Sequence, residues 1–346
     1  KNELKNVFSN LLEAYDEYDS IILSISFSNE EGKRNSYFGG IRFIKKNIIL
    51  SIINVSQSEL RNWRDTLKEF NIEYIFIDIE KKLPFEFSLN PENEKTNIEY
   101  SNIYAEATKS LKFAKIIPWS STEMTSRAAI KVLREELGNN LSGNEISIIG
   151  LGAIGFQLSL SLIREGVKIS CFTRNYTKGL IKANSINTIK SEYTLASFNL
   201  YQSLKTTILS SSVLLECSSS INAINKTYID DFQIHKLILD IGKQAFTRDF
   251  IEGISIFDIK FKRLDISNTL CEFICSEIYP FNIYKSKPAK VTLKSNINLI
   301  SGGWKGLPGD IVVDDAYAPR FVLGVINSKF SIIPIYTSFK NWENSN

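Results

Sequence analysis

The chain has 346 residues, of which 43% are hydrophobic and 23% charged, and its 41 basic and 38 acidic residues leave a formal net charge of +3. That balance is ordinary for a globular protein and offers no basic stripe for nucleic acid. The longest apolar runs, such as "NIILSIINV", fall far short of the ~18 residues a membrane helix needs.

No secretory leader is visible, so the cytoplasm is the expected compartment. Cys171, Cys217, Cys271 and Cys275 are too few for a disulfide framework in a chain of this length. At ~100–200 residues per domain, the length suggests two domains or three segments.

The first hundred residues read as a small α/β unit. "SIILSISF" alternates and is rich in Ile, which predicts a strand. "YFGGIRFIKKNIILSIIN" predicts two more. "SQSELRNWRDTLKEF" opens on a capping serine and predicts a helix, and "EYIFIDIE" predicts a strand. "LPFEFSLNPENEKTNIEYSN" reads as a loop. In "IPWSSTEMTSRAAIKVLREEL", Ser120 and Glu123 have capping-box spacing ahead of a helical pattern.

From Glu145 the chain alternates between predicted strands and helices. "EISIIG" is a buried-strand run, "AIGFQLSLSLIREG" a helix and "VKISCFTRN" a strand. "NTIKS" reads as a short third strand and "SLKTTILSS" as a helix. "SVLLECSSS" and "KLILDIG" read as strands on either side of a helical "NKTYIDDF". "KQAFTRDFIEG" reads as a helix and "ISIFDIK" as a last strand. This order is what a parallel sheet covered by helices on both faces requires. Beyond Lys260, "ISNTLCEFICSEIY" looks helical and "AKVTLKSNINLI" looks like a strand. The glycine-rich "SGGWKGLPGD" then precedes more apolar segments.

Gly150, Gly152 and Gly155 form G-x-G-x-x-G between an apolar strand and an amphipathic helix. The first glycine permits a tight turn, the second lets a pyrophosphate approach the backbone, and the third lets helix and strand pack closely. With Ala153 and Ile154, the motif opens a helix whose N-terminal end favours an anion. An NAD site usually places Asp or Glu at the end of the next strand for the ribose hydroxyls. This chain instead has Phe172, Thr173, Arg174 and Asn175, with Lys178 close by. A guanidinium can pair with a 2′-phosphate through its planar fork, so the pattern points to NADP(H). The missing acid argues against a ubiquitin-activating-type adenylation domain and weakens a methyltransferase reading.

The stretch from about Ser120 to Lys260 resembles the NADP-binding domains of shikimate dehydrogenase and glutamyl-tRNA reductase. It carries the "TRN" of the second strand, "LLECSSS" and "LILDIG". The dipicolinate synthase A subunit is similar in its "GLG" turn and in a loop like "GLPGDIV". The resemblance covers some 40% of the chain. It implies a Rossmann-fold, doubly wound parallel sheet in the middle of the chain, over 116–262. An N-terminal α/β domain over 1–115 would be completed by the C-terminal segment over 263–346. The shikimate family's Lys and Asp motifs are absent from the first hundred residues, and no Cys precedes residue 171 to match the reductase nucleophile, so no substrate carries over.

If NADP binds as the resemblance implies, Cys217, Ser218, Ser219, Asp240 and Gly242 lie near the nicotinamide. Asp240 would orient a cofactor or cap the next turn, and Cys217 reads as a packed small residue ahead of a nucleophile. Lys305 and Asp315 near the glycine-rich loop are candidates for acid–base work, with Asp310, Asp314 and Arg320 around them. Ser121, Thr122, Thr125 and Arg127 open a helix that either caps itself or receives a substrate carboxylate. His235 is the only histidine, is expected on the surface and is assigned no chemistry. No spacing supports a metal site.

The expected activity is an NADP(H)-dependent oxidoreductase acting on a small carbonyl, imine or amino-acid-like metabolite in biosynthesis, without nucleic acid or membrane partners. Apolar C-terminal segments are compatible with a homodimer. The alternatives are an S-adenosylmethionine-dependent methyltransferase and a nucleotide-binding protein without chemistry.

Overall fold

A computed structural model describes residues 2–15, 17–18, 20–27, 36–80, 103–278, 289–301 and 306–345. The chain divides into two compact units, Lys1–Ile274 and Cys275–Asn346.

The first unit opens with helix α1 (Asn2–Ala14), which the sequence reading did not foresee. Strands β1 (Ser20–Ser26), β2 (Tyr37–Ile44) and β3 (Asn47–Ile53) follow. Helix α2 (Gln57–Glu69) starts at Ser56, whose hydroxyl accepts from the Glu59 N–H while the Glu59 carboxylate accepts from the Ser56 N–H. This is the reciprocal capping arrangement, and it satisfies two donors that a helix start would otherwise leave open.

Strand β4 (Tyr74–Asp78), helix α3 (Ile103–Ser110) and strand β5 (Lys115–Trp119) complete a sheet of order β2-β3-β1-β4-β5. It is parallel except for β2. "KIIPW" is therefore a sheet strand rather than the lead-in to a helix. Pro118 is tolerated because β5 lies on the sheet edge. The predicted loop at 83–102 lies outside the described residues.

Helix α4 (Ser121–Leu137) leads to the second sheet. Its elements are β6 (Glu145–Ile149), α5 (Ala153–Arg164), β7 (Lys168–Phe172), α6 (Tyr176–Ile189) and β8 (Phe198–Tyr201). Then come α7 (Leu204–Ile208), β9 (Val213–Glu216), a 3-10 turn (Lys226–Phe232), β10 (Leu237–Asp240), α8 (Arg248–Ile254) and β11 (Lys260–Arg263).

All six strands are parallel, in the order β11-β10-β9-β6-β7-β8. Read from the other edge, this is 3-2-1-4-5-6, the doubly wound Rossmann order. Side-chain alternation splits the strands between two cores. Ile146, Ile148, Leu215 and Leu239 pack with Leu158 and Leu162 of α5 on one face. Ile149, Leu214 and Ile238 pack with Phe232 and Phe250 on the other. A sheet buried on both faces needs apolar residues at consecutive positions, which is why these strands read as unbroken runs.

Two predicted strands are corrected. "NTIKS" closes α6, and the third strand is "FNLY". The last strand is "KFKR" rather than "ISIFDIK", whose Ile254 ends α8. In the first case Thr188 and Ile189 end a helix on its exposed side, and in the second only Ile254 is helical while Ile256 lies in an exposed turn, so neither run is used as a strand despite its composition.

Helix α9 (Ser267–Ile278) follows. Phe273 meets Phe76 of β4 edge-on at 6.0 Å, and Ser267 accepts from the Arg42 guanidinium at 2.8 Å.

In the second unit, β12 (Ala289–Thr292), β13 (Asn298–Ser301), β14 (Ile311–Val313), β15 (Phe321–Ile326) and β16 (Ile332–Ser338) pair in sequence order. Helix α10 (Phe339–Ser345) ends the chain and buries Trp342. "AKVTLKSNINLI" is thus a hairpin of two strands rather than one. These strands form a sheet of their own and add none to the N-terminal sheet. Asp310, buried, accepts from the Leu307 N–H at 2.8 Å, the Asn298 amide at 2.9 Å and the Lys290 ammonium at 3.1 Å. Burial opposes its ionisation, and these bonds together outweigh burial and lower its pKa.

Candidate functional site

A cavity of about 520 Å³ opens at the carboxyl ends of β6, β7 and β9, where the strand order reverses. Open α/β sheets bind ligands at such a switch point.

Its rim is the glycine turn. Gly150 has φ +96°, and a Cβ there would sit 2.7 Å from the Ser218 nitrogen. A Cβ on Gly155 would collide with the Gly150 carbonyl, so the third glycine is needed for α5 to reach the strand. Gly152 is different, because a Cβ there would meet nothing within 4 Å. It faces open space at the N-cap of α5, and no side chain caps that end. The helix therefore directs its first N–H groups at the cavity beside Leu151, Gly152, Ala153 and Ile154, all of which line it.

Phe172, Thr173, Arg174 and Asn175, from the end of β7 and the turn after it, line the next wall with Lys178. Asn175 is the N-cap of α6, and its side-chain oxygen accepts from the Lys178 N–H at 3.0 Å. Arg174 and Lys178 are exposed. Gly179 lets α6 lie against Thr173 and Leu200, whose side chains a Cβ would crowd. Lys182, one helical turn beyond Lys178, also lines the cavity, and its ammonium donates to the Leu151 carbonyl at 2.6 Å. Sequence reasoning missed it. The signal was present in the 178/182 spacing, which puts both side chains on one helix face.

The floor is Cys217, Ser218, Ser219 and Ser220, with Ala223, Ile224 and Ala245. Burial, then the neighbouring Glu216 and Cys171, push the Cys217 thiol well above its ordinary pKa, as fits a packed residue. Burial alone pushes Cys171 up to about 12. Cys171, Cys217, Cys271 and Cys275 form no disulfide. Among the described residues, the cavity wall presents three cations, Arg174, Lys178 and Lys182, and no carboxylate or imidazole.

Of the remaining candidates Thr122 also lines the cavity, and the others fall elsewhere. Gly242 does not line the cavity. A Cβ there would collide with the Ser218 carbonyl and with Glu216 Oε2. Asp240 is fully buried, accepts from the Lys243 N–H at 2.8 Å and pairs with Arg263 at 3.0 Å, so it is spent on a turn and an ion pair rather than set in the wall. Asp315, in the second unit, accepts from the N–H groups of Tyr317 and Ala318 in a turn, and Asp314 holds those of Arg320 and Phe321. Lys305 lies outside the described residues. His235 is buried rather than exposed, stacked on Phe232, with Nδ1 3.1 Å from the Phe232 carbonyl.

At the start of α4 the Glu80 carboxylate accepts from the Thr122 N–H at 2.8 Å and from the hydroxyls of Ser120 and Thr122. The chain's own carboxylate holds this helix end, where a substrate carboxylate had been one expectation. Glu123 pairs with Arg127 at 2.7 Å, and Ser120 makes its half of the expected box to the Glu123 N–H.

Among the described residues no group of side chains could hold a metal, and no helix is long and apolar enough to cross a membrane. No family model and no curated protein matches the chain. Solved structures similar to it include L-tryptophan dehydrogenase from Nostoc punctiforme, with 12% identity over 77% of each chain and a TM-score of 0.44. Shikimate dehydrogenase from Aquifex aeolicus gives 13% identity over 77% of this chain and 92% of its own, with a TM-score of 0.42. The dipicolinate synthase A chain from Bacillus subtilis gives 10% over 77% and 98%, with a TM-score of 0.34. These likenesses assign no activity to this chain; its fold is Rossmann by its own strand order.

Proposed function

We propose that the chain is an NADP(H)-dependent oxidoreductase acting on a small carbonyl, imine or amino-acid-like metabolite. The observation that carries the reading is the cavity at the switch point. It is rimmed by an open-faced Gly152 and walled by Arg174, Lys178 and Lys182, with no carboxylate to repel a 2′-phosphate. The residues fit the group. The first turn of α5 receives a pyrophosphate, Arg174 and Lys178 receive the 2′-phosphate, and the Ser218–Ser220 floor lies where the nicotinamide half would extend. A nicotinamide dinucleotide, when bound, supplies or accepts the hydride.

Among the described residues the cavity wall offers no carboxylate or imidazole for acid–base work, and this favours a second reading, a nucleotide-binding protein without chemistry. Calorimetric titration with NADPH, NADH and S-adenosylmethionine tests the first reading. Selective NADPH binding supports it, and preference for the methyl donor overturns it. Turnover on a carbonyl and imine panel, read at the nicotinamide absorbance, separates an enzyme from a binder.

A further inference from the structure

Beneath the floor of this cavity lies Glu216, the last residue of β9, with no exposed surface. Its Oε1 accepts both the N–H of Ser218, at 2.8 Å, and the Ser218 hydroxyl. Ser218 lines the cavity and Glu216 does not. Its Oε2 is buried with no hydrogen-bond partner and lies against Gly242, where a Cβ would collide with it. Its register partner on β10 is Asp240, ion-paired with Arg263, and β6 presents Ile149 on the other side.

We propose that Glu216 is a positioning residue for the dinucleotide: it fixes Ser218 from below, and charge on it opposes an anionic ligand above. The inference rests on the reading of the cavity as a dinucleotide site. Burial first, and then the charge of Asp240, outweigh the Ser218 hydrogen bonds and the nearby Gly242 N–H, which itself donates to the Glu216 backbone carbonyl, and raise the Glu216 pKa to about 7. The carboxyl therefore changes charge near neutrality. Binding of an anion favours its protonated form, so affinity falls as pH rises through this range and a proton is taken up on binding. The neighbouring Cys217 thiol is pushed well above its ordinary value, and the lone His235 is lowered to about 4, so neither changes charge near neutrality.

NADH is the deciding probe, because it lacks the 2′-phosphate that itself titrates near this range. Calorimetry of NADH binding from pH 6.0 to 8.5, in two buffers of different ionisation enthalpy, reads affinity and proton uptake together. The expected wild-type result is a loss of about five- to tenfold in affinity across the range and fractional proton uptake near pH 7. Glu216→Gln should bind with a flat profile and no uptake. Binding that is independent of pH without uptake in wild type overturns the proposal, as does an unchanged profile in the variant. Should the variant not fold, the wild-type uptake measurement decides alone. Absence of both NADH and NADPH binding at every pH has a different signature and overturns the dinucleotide reading, and the proposal with it.

Discussion

Lys182 reaches from α6 to the glycine turn and donates to the Leu151 carbonyl at 2.6 Å. The helix after the second strand is thereby tied to the loop before the first helix, and Leu151 lies between the first two glycines of the motif. The ammonium also sits 5.9 Å from the centre of the Phe156 ring. Since the bond is to the loop, Lys182→Met should weaken NADPH and NADH by similar factors, about three- to tenfold, as expected for losing one charge-assisted bond in a partly exposed position. Fluorescence titration of both nucleotides checks this. Loss confined to NADPH would place Lys182 with the 2′-phosphate instead.

Arg174→Ala should do the opposite. Arg174 is exposed on the cavity wall, beyond the end of β7. Removal of a guanidinium from a phosphate should cost NADPH about 10- to 100-fold in affinity and leave NADH within a factor of two or so. Equal loss for both would show that Arg174 acts on the shape of the turn.

The glycines should separate stability from binding. Gly152→Ala places a methyl in open space, so thermal unfolding should be unchanged while nucleotide affinity falls. Gly155→Ala drives a methyl into the Gly150 carbonyl, and Gly242→Ala into the Ser218 carbonyl and Glu216. Overpacking against backbone that cannot move aside costs roughly 1–3 kcal/mol or more. Both variants should unfold several degrees below wild type in a thermal scan.

His235 supplies a pH-dependent stability term. Burial, partly offset by the Phe232 carbonyl, lowers its pKa to about 4 from an ordinary value of 6.5. The folded state therefore binds fewer protons than the unfolded state between these values. The stabilisation is complete above about pH 6.5 and is lost as pH falls toward 4, to a total of about 2–3 kcal/mol. In urea unfolding, the stability of wild type relative to His235→Phe should fall by that order between pH 7 and pH 4.5. A difference that does not change with pH would mean the imidazole is not held neutral by burial.

The glycine turn and the arginine after β7 were legible because each answers a local demand. A turn with φ +96° and a helix packed on a carbonyl accept glycine alone, and a charged residue at a strand end stands out against an apolar run. The third and last strands of the same sheet were misplaced, because "NTIKS" and "ISIFDIK" carry strand-favouring residues that the fold uses in a helix end and in the turn before the strand.

What the sequence by itself determined was the doubly wound sheet and the switch-point cavity. Their signals, apolar runs and G-x-G-x-x-G, lie within a few residues of one another. The roles of the buried carboxylates were decided only in three dimensions. Asp240 reads in the sequence as a candidate catalyst, and only the fold sets Arg263, 23 residues on, beside it. Glu216 drew no attention as the fourth residue of a short strand. Its two bonds to Ser218 are local, two residues on, but its burial and its bare oxygen against Gly242 depend on β10 lying alongside β9. Lys182 likewise gained its meaning from meeting a carbonyl 31 residues earlier. Local pattern encodes backbone geometry, whereas the charge state and hydrogen-bond partners of a side chain are set by neighbours that only tertiary packing brings within reach.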